Sequence, residues 1–525
     1  MTGKLFQSKY FPIILFAFAL ALYLINNQSF SIYILDEAKN SECAREMLEK
    51  SDWIVPTFNY NLRTDKPPLH YFFMMCSFKL FGVNEWAARF FSGVFGALTV
   101  LITFLYTRRF SNRTTALWAA FTLLASVHLC IQFHLAVPDP YLIFFFTWSL
   151  FLFYAAVTDR RFLEIVLLYV AIGFGTLAKG PVAIALPGLI FLLFLIFSKQ
   201  FKWPVIRSLK PLLGVFIVLL IALPWYILVG IETNWEWTQG FFLKHNIGRF
   251  AGEMEGHGGI FLVTFAYILA GMFPFSTFLI QAYRNAVKDR HDHFVLFSLI
   301  AASTIILFFS FSGTKLPNYT VPSYPFLAVI LATYFAKFPE LKSKLKPSYI
   351  SLLVIGIILV PALLFGLQFD PVLKGIKSVA WYFLPASLGI FSGFYFFIHR
   401  KTITGLLVTG SSTILASLLL FIFVFPKIDA QNPVRKSISL FEGKEVCYFQ
   451  KFNPSYSFYL KKPIPEIMES EIDSYFLANP DGVIISTKKK LANITLPESY
   501  EVFFSSHDLF ESPTTQLIWR KQIEN

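Results

Sequence analysis

The sequence YFPIILFAFALALYLINN occupies residues 10–27, and SIYILDEAKN follows it at residues 31–40. The first stretch is apolar throughout and close to the roughly 20 residues that cross a hydrocarbon core as a helix. Because no clear cleavage site ends it, we interpret it as an uncleaved first span rather than a signal peptide. An acidic pair, Asp36 and Glu37, therefore follows where the chain leaves the membrane.

The composition of the whole chain is typical of a membrane protein. Of its 525 residues, 55% are hydrophobic and 15% are charged, and 63 are phenylalanine. Soluble domains carry about 25% charged residues, so the apolar excess indicates contact with lipid. The net charge of +13 could suggest nucleic acid. The basic residues lie mostly in short loops between apolar stretches, however, as the positive-inside rule expects, so we expect no nucleic-acid binding.

Apolar stretches of sufficient length predict about thirteen transmembrane helices. They lie near residues 10–27, 87–107, 114–133, 140–157, 162–178, 181–197, 211–230, 260–280, 294–311, 321–336, 349–368, 379–398 and 403–425.

The orientation of these spans follows from the charges of the loops. With the N-terminus in the cytoplasm, the short inner loops hold Arg108, Arg109, Arg113, Arg160, Arg161, Lys199, Lys202, Arg207, Lys210, Arg284, Lys288, Arg290, Lys337, Lys342, Lys344, Lys346, Arg400 and Lys401. Two outer segments, residues 28–86 and 231–259, are too long for connecting turns. Long loops of this kind are usually functional or disordered, and their aromatic content makes us expect order.

After residue 425 the chain becomes more polar. Residues 445–449 and 482–486 are predicted strands, and residues 470–477 are a predicted helix. The fold class predicted is thus an all-α polytopic membrane domain at residues 1–425, followed by a small soluble α/β domain at residues 426–525. With thirteen spans, the second domain lies outside the cytoplasm.

The first outer segment contains two candidates for chemistry. Asp36 stands at the membrane edge, where a carboxylate can act as general base on an acceptor delivered from lipid. The alternative is a solvated helix start, which acidic residues favour. Lys66 precedes Pro67 and Pro68, which stiffen the local backbone. A lysine held this way can bind a phosphate with little loss of entropy; the alternative is a plain surface turn.

Later outer turns carry further ionisable residues. Asp139 lies between two prolines at the start of a span, and Lys179 lies in the turn that ends another. Such groups at membrane depth are functional candidates, although snorkelling also explains Lys179. His245 and Arg249 are four residues apart and would share a helix face. Lys315 belongs to a further outer turn, at residues 312–319.

All of these residues fall on one side of a topology that was derived from other charges: Asp36, Lys66, Asp139, Lys179, His245, Arg249 and Lys315. Two carboxylates beside several cations describe a site for an anionic donor and for an acceptor that needs a base. A phosphate-bearing lipid and the transfer of a sugar match that description.

The residues from Asp36 to Arg89 follow the arrangement DEA…E.AREM…DW..P…KPPL.Y…K.FG.NE..AR. This arrangement resembles the lipid A aminoarabinose transferases and the protein O-mannosyltransferases, which are polyprenyl-phosphate-sugar-dependent enzymes of the GT-C class. The segments KHNIGRF at residues 244–250 and GTKLPNY at residues 313–319 are similar too. The resemblance covers roughly residues 10–335.

The resemblance implies roles for particular residues. Asp36 matches the catalytic carboxylate of the family, and Asp139 matches its second outer-face acid. Lys66 matches the lysine that meets the donor phosphate. Other candidates for binding the donor or substrate are Glu37, Lys39, Lys179, His245, Arg249, Lys315 and Tyr319.

The chain also departs from the family pattern. The aminoarabinose transferases usually read DEARY where this chain has Lys39 and Asn40 after Ala38, and an acid other than Asp65 often precedes the KPP lysine. Lysine does not replace arginine in bidentate phosphate binding. These departures leave the sugar and the acceptor open.

We therefore predict an integral-membrane glycosyltransferase of a bacterial inner membrane with its active site facing the periplasm. The donor would be a polyprenyl-phosphate-linked sugar, and the acceptor lipid A, another glycan or a protein. The involvement of a divalent metal ion is left open, with Asp65 and His70 as the candidate ligands. The alternatives are a transporter or flippase for a lipid-linked sugar and a non-catalytic assembly subunit.

Overall fold

The computed structural model describes residue 6 and residues 8–248, 258–337 and 346–521. In the first half its α-helices are Phe11–Leu24, Leu35–Glu49, Leu69–Phe81, Glu85–Phe110, Arg113–Ala125, Val127–Phe133, Asp139–Asp159, Phe162–Lys179, Val182–Phe197, Trp203–Ser208, Pro211–Glu232 and Glu236–Gln239. In the second half they are Val263–Gly271, Leu279–Lys288, His293–Phe311, Tyr324–Ala336, Lys346–Phe369, Leu384–Ile398, Thr402–Leu419, Phe425–Asp429, Pro433–Ser437, Ser455–Leu460, Ile472–Ala478 and Lys488–Leu491. Shorter 3₁₀ and π segments include Gly240–Gly248, Phe275–Phe278, Pro317–Ser323, Lys374–Phe383 and Leu420–Val424.

The predicted helical membrane architecture is confirmed. Within the described ranges, nine helices are long and apolar enough to cross a membrane, or eleven if each of two bent pairs is one span. The predicted spans at residues 10–27 and 181–197 correspond to the shorter apolar helices Phe11–Leu24 and Val182–Phe197. The count of thirteen is therefore not confirmed by helix length.

The helices differ in how much of their surface other helices cover. Asp139–Asp159 is 89% buried over its apolar window and lies in the centre of the bundle, whereas Lys346–Phe369 is only 17% buried. A helix that exposes apolar side chains on most of its surface is stable in lipid but not in water. The peripheral helices therefore face the bilayer, and the central one can hold a polar residue at its end.

The first outer segment folds into a helix, a hairpin and a second helix. The helix Leu35–Glu49 is followed by the antiparallel strands β1 (Thr57–Phe58) and β2 (Asn61–Leu62). Glu46 is fully buried, and both of its carboxylate oxygens accept the backbone N–H of Tyr60, each at 3.1 Å. This contact ties the hairpin to the end of the helix, and the chain beyond the hairpin returns to the start of the helix, where Lys66 lies near Asp36.

A buried ion pair fixes the start of that helix. Glu37 and Arg89 are both 0% exposed, and the guanidinium Nε and Nη2 donate to the Glu37 carboxylate at 2.7 and 2.9 Å. The same guanidinium donates to the carbonyls of Asn27, Phe30 and Ser31. Arg89 thereby fixes the segment that connects the first span to the helix Leu35–Glu49. This in turn fixes the position of Asp36 in the first turn of that helix.

The C-terminal region contains a five-stranded mixed sheet in the order β4-β3-β5-β7-β6. Strand β3 pairs in parallel with β4 and β5, and β7 pairs antiparallel with β5 and β6. The predicted strands and helix of this region are present. The strands are β3 (Val446–Phe449), β4 (Glu466–Ile467), β5 (Val483–Thr487), β6 (Tyr500–His507) and β7 (Thr514–Arg520). That residues 426–525 form a separate domain stays a prediction.

This region docks onto the first outer segment through paired hydrogen bonds. The side-chain amide of Asn59 donates to the carbonyl of Ile464 and accepts its N–H, both at 2.8 Å. The Tyr459 hydroxyl accepts the N–H of Ile32 at 2.8 Å and donates to Glu85 at 2.9 Å. The helix Ser455–Leu460 and the chain just before β4 therefore support both the hairpin and the segment that leads to Asp36.

Candidate active site

A cavity of about 640 Å³ opens between the two outer segments and the ends of the membrane helices. Its lining combines a few ionisable residues with a largely apolar wall. Both outer segments and the turn that ends in the helix Tyr324–Ala336 contribute to it. The lining residues are Asp65, Lys66, Pro67, Asp139, Leu142, Lys179, Pro181, Val182, Ala185, Phe241, Phe242, His245, Asn246, Phe308, Phe309, Ser312, Asn318, Tyr319 and Pro322. Such a cavity suits a ligand with a charged head and an apolar tail.

Lys66 stands between this cavity and Asp36. Its side chain is largely buried, and its Nζ lies 3.7 Å from Oδ2 of Asp36, whose own side chain is 52% exposed. The separation is longer than a hydrogen bond. Asp36 is therefore accessible to a substrate, and Lys66 is held loosely enough to exchange its partner for an anion in the cavity.

Asp139 contacts residues that lie far apart in the sequence. It opens the helix Asp139–Asp159, and its Oδ1 accepts from Lys179 Nζ at 2.5 Å and from Asn318 Nδ2 at 3.0 Å. Lys179 also lies over the ring of Tyr319, with 5.4 Å between Nζ and the ring centroid. Asp139 is thus engaged by a cation and an amide, which suits a role in fixing the cavity wall rather than in proton transfer.

Exchanging either member of this pair should destabilise the protein. Asp139→Asn leaves the charge of Lys179 unpaired, and Lys179→Met leaves that of Asp139 unpaired. The loss of one partner of a buried pair costs on the order of 3 kcal/mol. We expect each single variant to melt several degrees lower in detergent, and the double variant to lose less than the sum of both. Strictly additive losses would show that the two residues are not coupled.

Asp65 joins the two outer segments. His245 Nε2 lies 3.0 Å from Oδ1 of Asp65, and Arg63 Nε lies 3.4 Å from Oδ2. Burial raises the pKa of the Asp65 carboxyl, but the hydrogen bond from His245 and the charge of Arg63 outweigh it, so the pKa is held well below its usual range. The indole of Trp237 donates to the Arg63 carbonyl at 2.9 Å and closes the same junction.

Several of the predicted site residues do not reach the cavity. Glu37 is committed to Arg89 and also accepts the N–H of Ala136 at 2.9 Å, so its predicted role in binding substrate is replaced by one in fixing the fold. Lys39 is half-buried and does not line the cavity. Lys315 is largely buried, and its Nζ donates to the Ser312 carbonyl in its own turn. Arg249 lies outside the described residues.

The metal candidates are also not brought together. Asp65 is already engaged by Arg63 and His245, and His70 is completely buried in the helix Leu69–Phe81. Across the described parts of the chain, no three His, Cys, Asp or Glu side chains are grouped so that they could hold a metal ion. A divalent ion held by Asp65 and His70 therefore stays a prediction, which the described residues do not support with a third ligand.

Sequence reasoning missed three features of the site. Asn318 binds Asp139, the aromatic pair Phe241 and Phe242 lines the cavity, and Arg63 contacts Asp65. Asn318 belongs to the segment GTKLPNY, in which only Lys315 and Tyr319 were predicted site residues. The other residues look like an ordinary loop arginine and ordinary apolar residues, and only their position reveals their relation to the cavity.

Comparison with known proteins matches residues 65–228 to the family of dolichyl-phosphate-mannose-protein mannosyltransferases. A relative of undetermined function from Aquifex aeolicus is 32% identical over 60% of this chain and 71% of its own length. The undecaprenyl phosphate-alpha-4-amino-4-deoxy-L-arabinose arabinosyl transferase of Pectobacterium atrosepticum is 28% identical over 80% of this chain and 77% of that enzyme. The chain belongs to the GT-C glycosyltransferases of this type. The predicted family is thus confirmed, and so is the prediction of a membrane-embedded glycosyltransferase.

One further curated relative and two solved structures are also similar to this chain. The arabinosyl transferase 2 of Proteus mirabilis is 30% identical over 62% of this chain, which spans only 60% of that enzyme's length. The crystal structure of ArnT from Cupriavidus metallidurans, bound to undecaprenyl phosphate, superposes with a TM-score of 0.81 at 20% identity, over 97% of this chain and 98% of ArnT. The oligosaccharyltransferase of Archaeoglobus fulgidus, with a TM-score of 0.54 at 11% identity, covers 91% of this chain and 69% of its own. These similarities show a shared fold.

Proposed function

We propose that this glycosyltransferase takes a sugar from a polyprenyl-phosphate carrier and transfers it to an acceptor on the periplasmic face of a bacterial inner membrane. The observation that carries the proposal is the cavity, in which Lys66 lies beside an apolar wall and contacts the accessible Asp36. A lipid phosphate needs a cation for its head and an apolar surface for its first isoprene units. The arabinosyl transferases are named for an undecaprenyl-phosphate-linked sugar, and the crystal structure of ArnT holds undecaprenyl phosphate.

In the proposed reaction an acceptor oxygen attacks the anomeric carbon of the sugar. The bond from that carbon to the phosphate oxygen breaks, and the polyprenyl phosphate leaves with one more negative charge. When the acceptor is a hydroxyl, its proton passes to Asp36. Lys66 stabilises the charge that grows on the leaving phosphate, since a fixed cation in a partly dry cavity lowers such a barrier.

The apolar wall of the cavity supports the choice of a lipid-linked donor over a soluble nucleotide sugar. Phe241, Phe242, Phe308 and Phe309 line it together with aliphatic residues from the helix Val182–Phe197. A nucleotide diphosphate would gain little from these side chains, whereas each buried methylene of a polyprenyl chain contributes about 0.8 kcal/mol.

An in vitro assay with purified protein tests the proposed activity. A panel of undecaprenyl-phosphate sugars would be offered together with lipid A, a lipid-linked glycan or a protein as acceptor. We expect one donor to yield a labelled acceptor and free undecaprenyl phosphate. A flippase would instead move the lipid-linked sugar across vesicle membranes without forming a product, and that outcome would refute the assignment of an enzyme activity.

The orientation of the chain gives a separate prediction. Of the four cysteines, Cys76 alone is exposed, so Cys76→Ser provides a background of low reactivity. We expect a membrane-impermeant thiol reagent to label Asn61→Cys or Asn246→Cys in whole spheroplasts, and to label Lys288→Cys only after the membrane is opened. The reverse pattern would place the cavity in the cytoplasm.

A further inference from the structure

Asp429 is a carboxylate at the end of the last apolar span, Thr402–Asp429, and it is 2% exposed. Its Oδ2 accepts the backbone N–H of Ser31 at 3.0 Å, and its Oδ1 accepts the Ser31 hydroxyl. Asn432 Nδ2 donates to Oδ1 at 3.4 Å, and Arg435 Nη1 donates to Oδ2 at 2.5 Å. Asp429 thus joins the last span to the segment after the first span, 398 residues earlier in the chain.

The peptide group between Phe30 and Ser31 connects Asp429 to Arg89. Its N–H donates to Asp429, and its carbonyl oxygen, which belongs to Phe30, accepts from Arg89 Nη1 at 2.8 Å. The next carbonyl, that of Ser31, accepts from Nη2 of the same guanidinium at 2.9 Å. An anion and a cation therefore hold opposite ends of one peptide dipole. Hydrogen bonds arranged in series in this way strengthen one another in an interior of low dielectric constant.

An aromatic contact runs beside this hydrogen-bonded path. The Arg89 guanidinium lies over the ring of Phe30, with 3.9 Å between Cζ and the ring centroid. The centroid of the Phe30 ring lies 5.2 Å from that of Phe425, which opens the helix Phe425–Asp429. Polar and aromatic contacts both lead from the end of the last span to Arg89, so a shift at that end would reach the guanidinium.

Arg89 extends the connection to the helix that carries Asp36. It forms the buried ion pair with Glu37 described above, and Glu37 is the residue after Asp36 in the helix Leu35–Glu49. Because neighbouring residues of a helix share one rigid backbone, a shift of Glu37 moves Asp36 with it. A misplacement of about 1 Å at a reacting group can lower a rate by about 10²-fold, so this path is short enough to matter for catalysis.

We propose that Asp429 is a positioning residue for Asp36 and acts through Arg89. This inference rests on the proposed function, in which Asp36 is the general base. The cavity wall that would hold the donor takes no part in these contacts. The loss of Asp429 should therefore misplace the base and leave donor binding nearly intact. A purely structural contact between the last span and the first outer segment would affect stability alone.

The separation of turnover from donor binding tests the proposal. Asp429→Ala deletes the acceptor oxygens for Ser31, so the peptide can reorient and Arg89 loses part of its support. We expect kcat to fall at least about tenfold while the KM for the donor stays within about threefold of the wild-type value. Asp429→Asn keeps one oxygen for the Ser31 N–H and should recover part of the lost turnover. Each variant is assayed well below its melting temperature.

The matched control is Asp508→Ala. Asp508 is another buried aspartate of the C-terminal region, 4% exposed, and it accepts the Thr515 hydroxyl at 2.6 Å. We expect this variant to melt lower and to keep the wild-type kcat. If Asp429→Ala does not fold, Asp429→Asn takes its place, with kcat lowered about threefold at an unchanged KM. The proposal is overturned if the Asp429 variants keep the wild-type kcat, or if the control loses as much kcat as Asp429→Ala.

A double variant identifies the route. Glu37→Gln weakens the link between Arg89 and the helix that carries Asp36. In that background Asp429→Ala should lower kcat by less than about threefold further, because contacts that act in series are not additive. A further loss as large as the one in the wild-type background would show that Asp429 acts by another path, and would overturn the positioning role.

The order of the experiments separates this inference from the function beneath it. Wild-type turnover of a polyprenyl-phosphate sugar is established first, and Asp36→Asn is assayed next. If the wild type transfers no sugar from any such donor, or if Asp36→Asn turns over normally, the proposed function or its mechanism fails. If both hold and kcat does not respond to the residue at position 429, only the role of Asp429 fails.

Discussion

Asp36→Asn is expected to abolish most sugar transfer, with kcat lowered by about 10²–10⁴-fold. The amide keeps the shape of the carboxylate and cannot accept the proton that a hydroxyl acceptor must lose. Asp36 is suited to that task because its side chain is 52% exposed while the helix that carries it is fixed by the pair of Glu37 and Arg89. The measurement is the single-turnover rate with a donor that the wild type uses.

The matched control is Asp52→Asn on the same outer segment. Asp52 accepts the N–H groups of Ile54 and Val55 through one oxygen, a contact that asparagine can also make. We expect this variant to keep near wild-type transfer. Wild-type turnover by Asp36→Asn would remove Asp36 from the mechanism. A loss of only a few-fold would indicate an acceptor that is already ionised, such as a phosphate.

Lys66→Met is expected to lower both donor affinity and turnover, each by about tenfold or more, because the ground state and the transition state both carry phosphate charge. Methionine keeps most of the bulk of the stem and deletes the cation. The two prolines that follow Lys66 limit the motion of its backbone, so little entropy is lost when it meets the phosphate. Binding of undecaprenyl phosphate to purified protein separates this effect from misfolding.

Lys66→Arg should recover only part of the activity, since a planar fork does not occupy the position of a compact ammonium group. Lys79→Met is the control, because Lys79 is exposed at the end of the helix Leu69–Phe81, away from the cavity lining. If Lys66→Met binds the lipid phosphate as tightly as the Lys79 variant and turns it over normally, Lys66 is a surface-turn residue and the donor site is misplaced.

The features that the sequence predicted well are those that depend on local pattern. Apolar length predicts a membrane helix because every backbone polar group must be satisfied inside the segment. Short apolar stretches within the more polar C-terminal part likewise predicted the strands β3 and β5. The first span, Phe11–Leu24, is shorter than predicted because the polar residues Asn26 and Asn27 belong to the turn that follows it, whereas Val182–Phe197 matches its predicted bounds closely.

The pairings within the site were beyond the reach of local pattern. Asp139 and Lys179 are 40 residues apart and meet only because two helices that pack together begin and end at the same level. From the sequence, Glu37 looked like a second acid beside Asp36. Because it is the next residue along the helix, its side chain points to the buried side instead, where it binds Arg89, 52 residues away in the chain. The sequence around a charged loop residue does not show which distant residue will pair with it in the folded protein.

Arg63 shows the same difficulty most clearly. Its sequence context, between a hairpin strand and an acidic residue, is typical of an exposed loop. It is nevertheless buried, and Trp237 from the other outer segment donates to its carbonyl. Contacts between segments far apart in the chain determine the electrostatics of this site, and the sequence shows only that both segments lie on the same face.

In the proposed function, the cavity holds the phosphate of a lipid carrier beside Asp36. A cryo-EM structure of the purified protein with undecaprenyl phosphate tests it most directly. We expect phosphate density within hydrogen-bond distance of Lys66 Nζ and isoprenoid density along Phe241, Phe242, Phe308 and Phe309. Lipid density elsewhere on the protein, with Lys66 still facing Asp36 and the cavity empty, would contradict it.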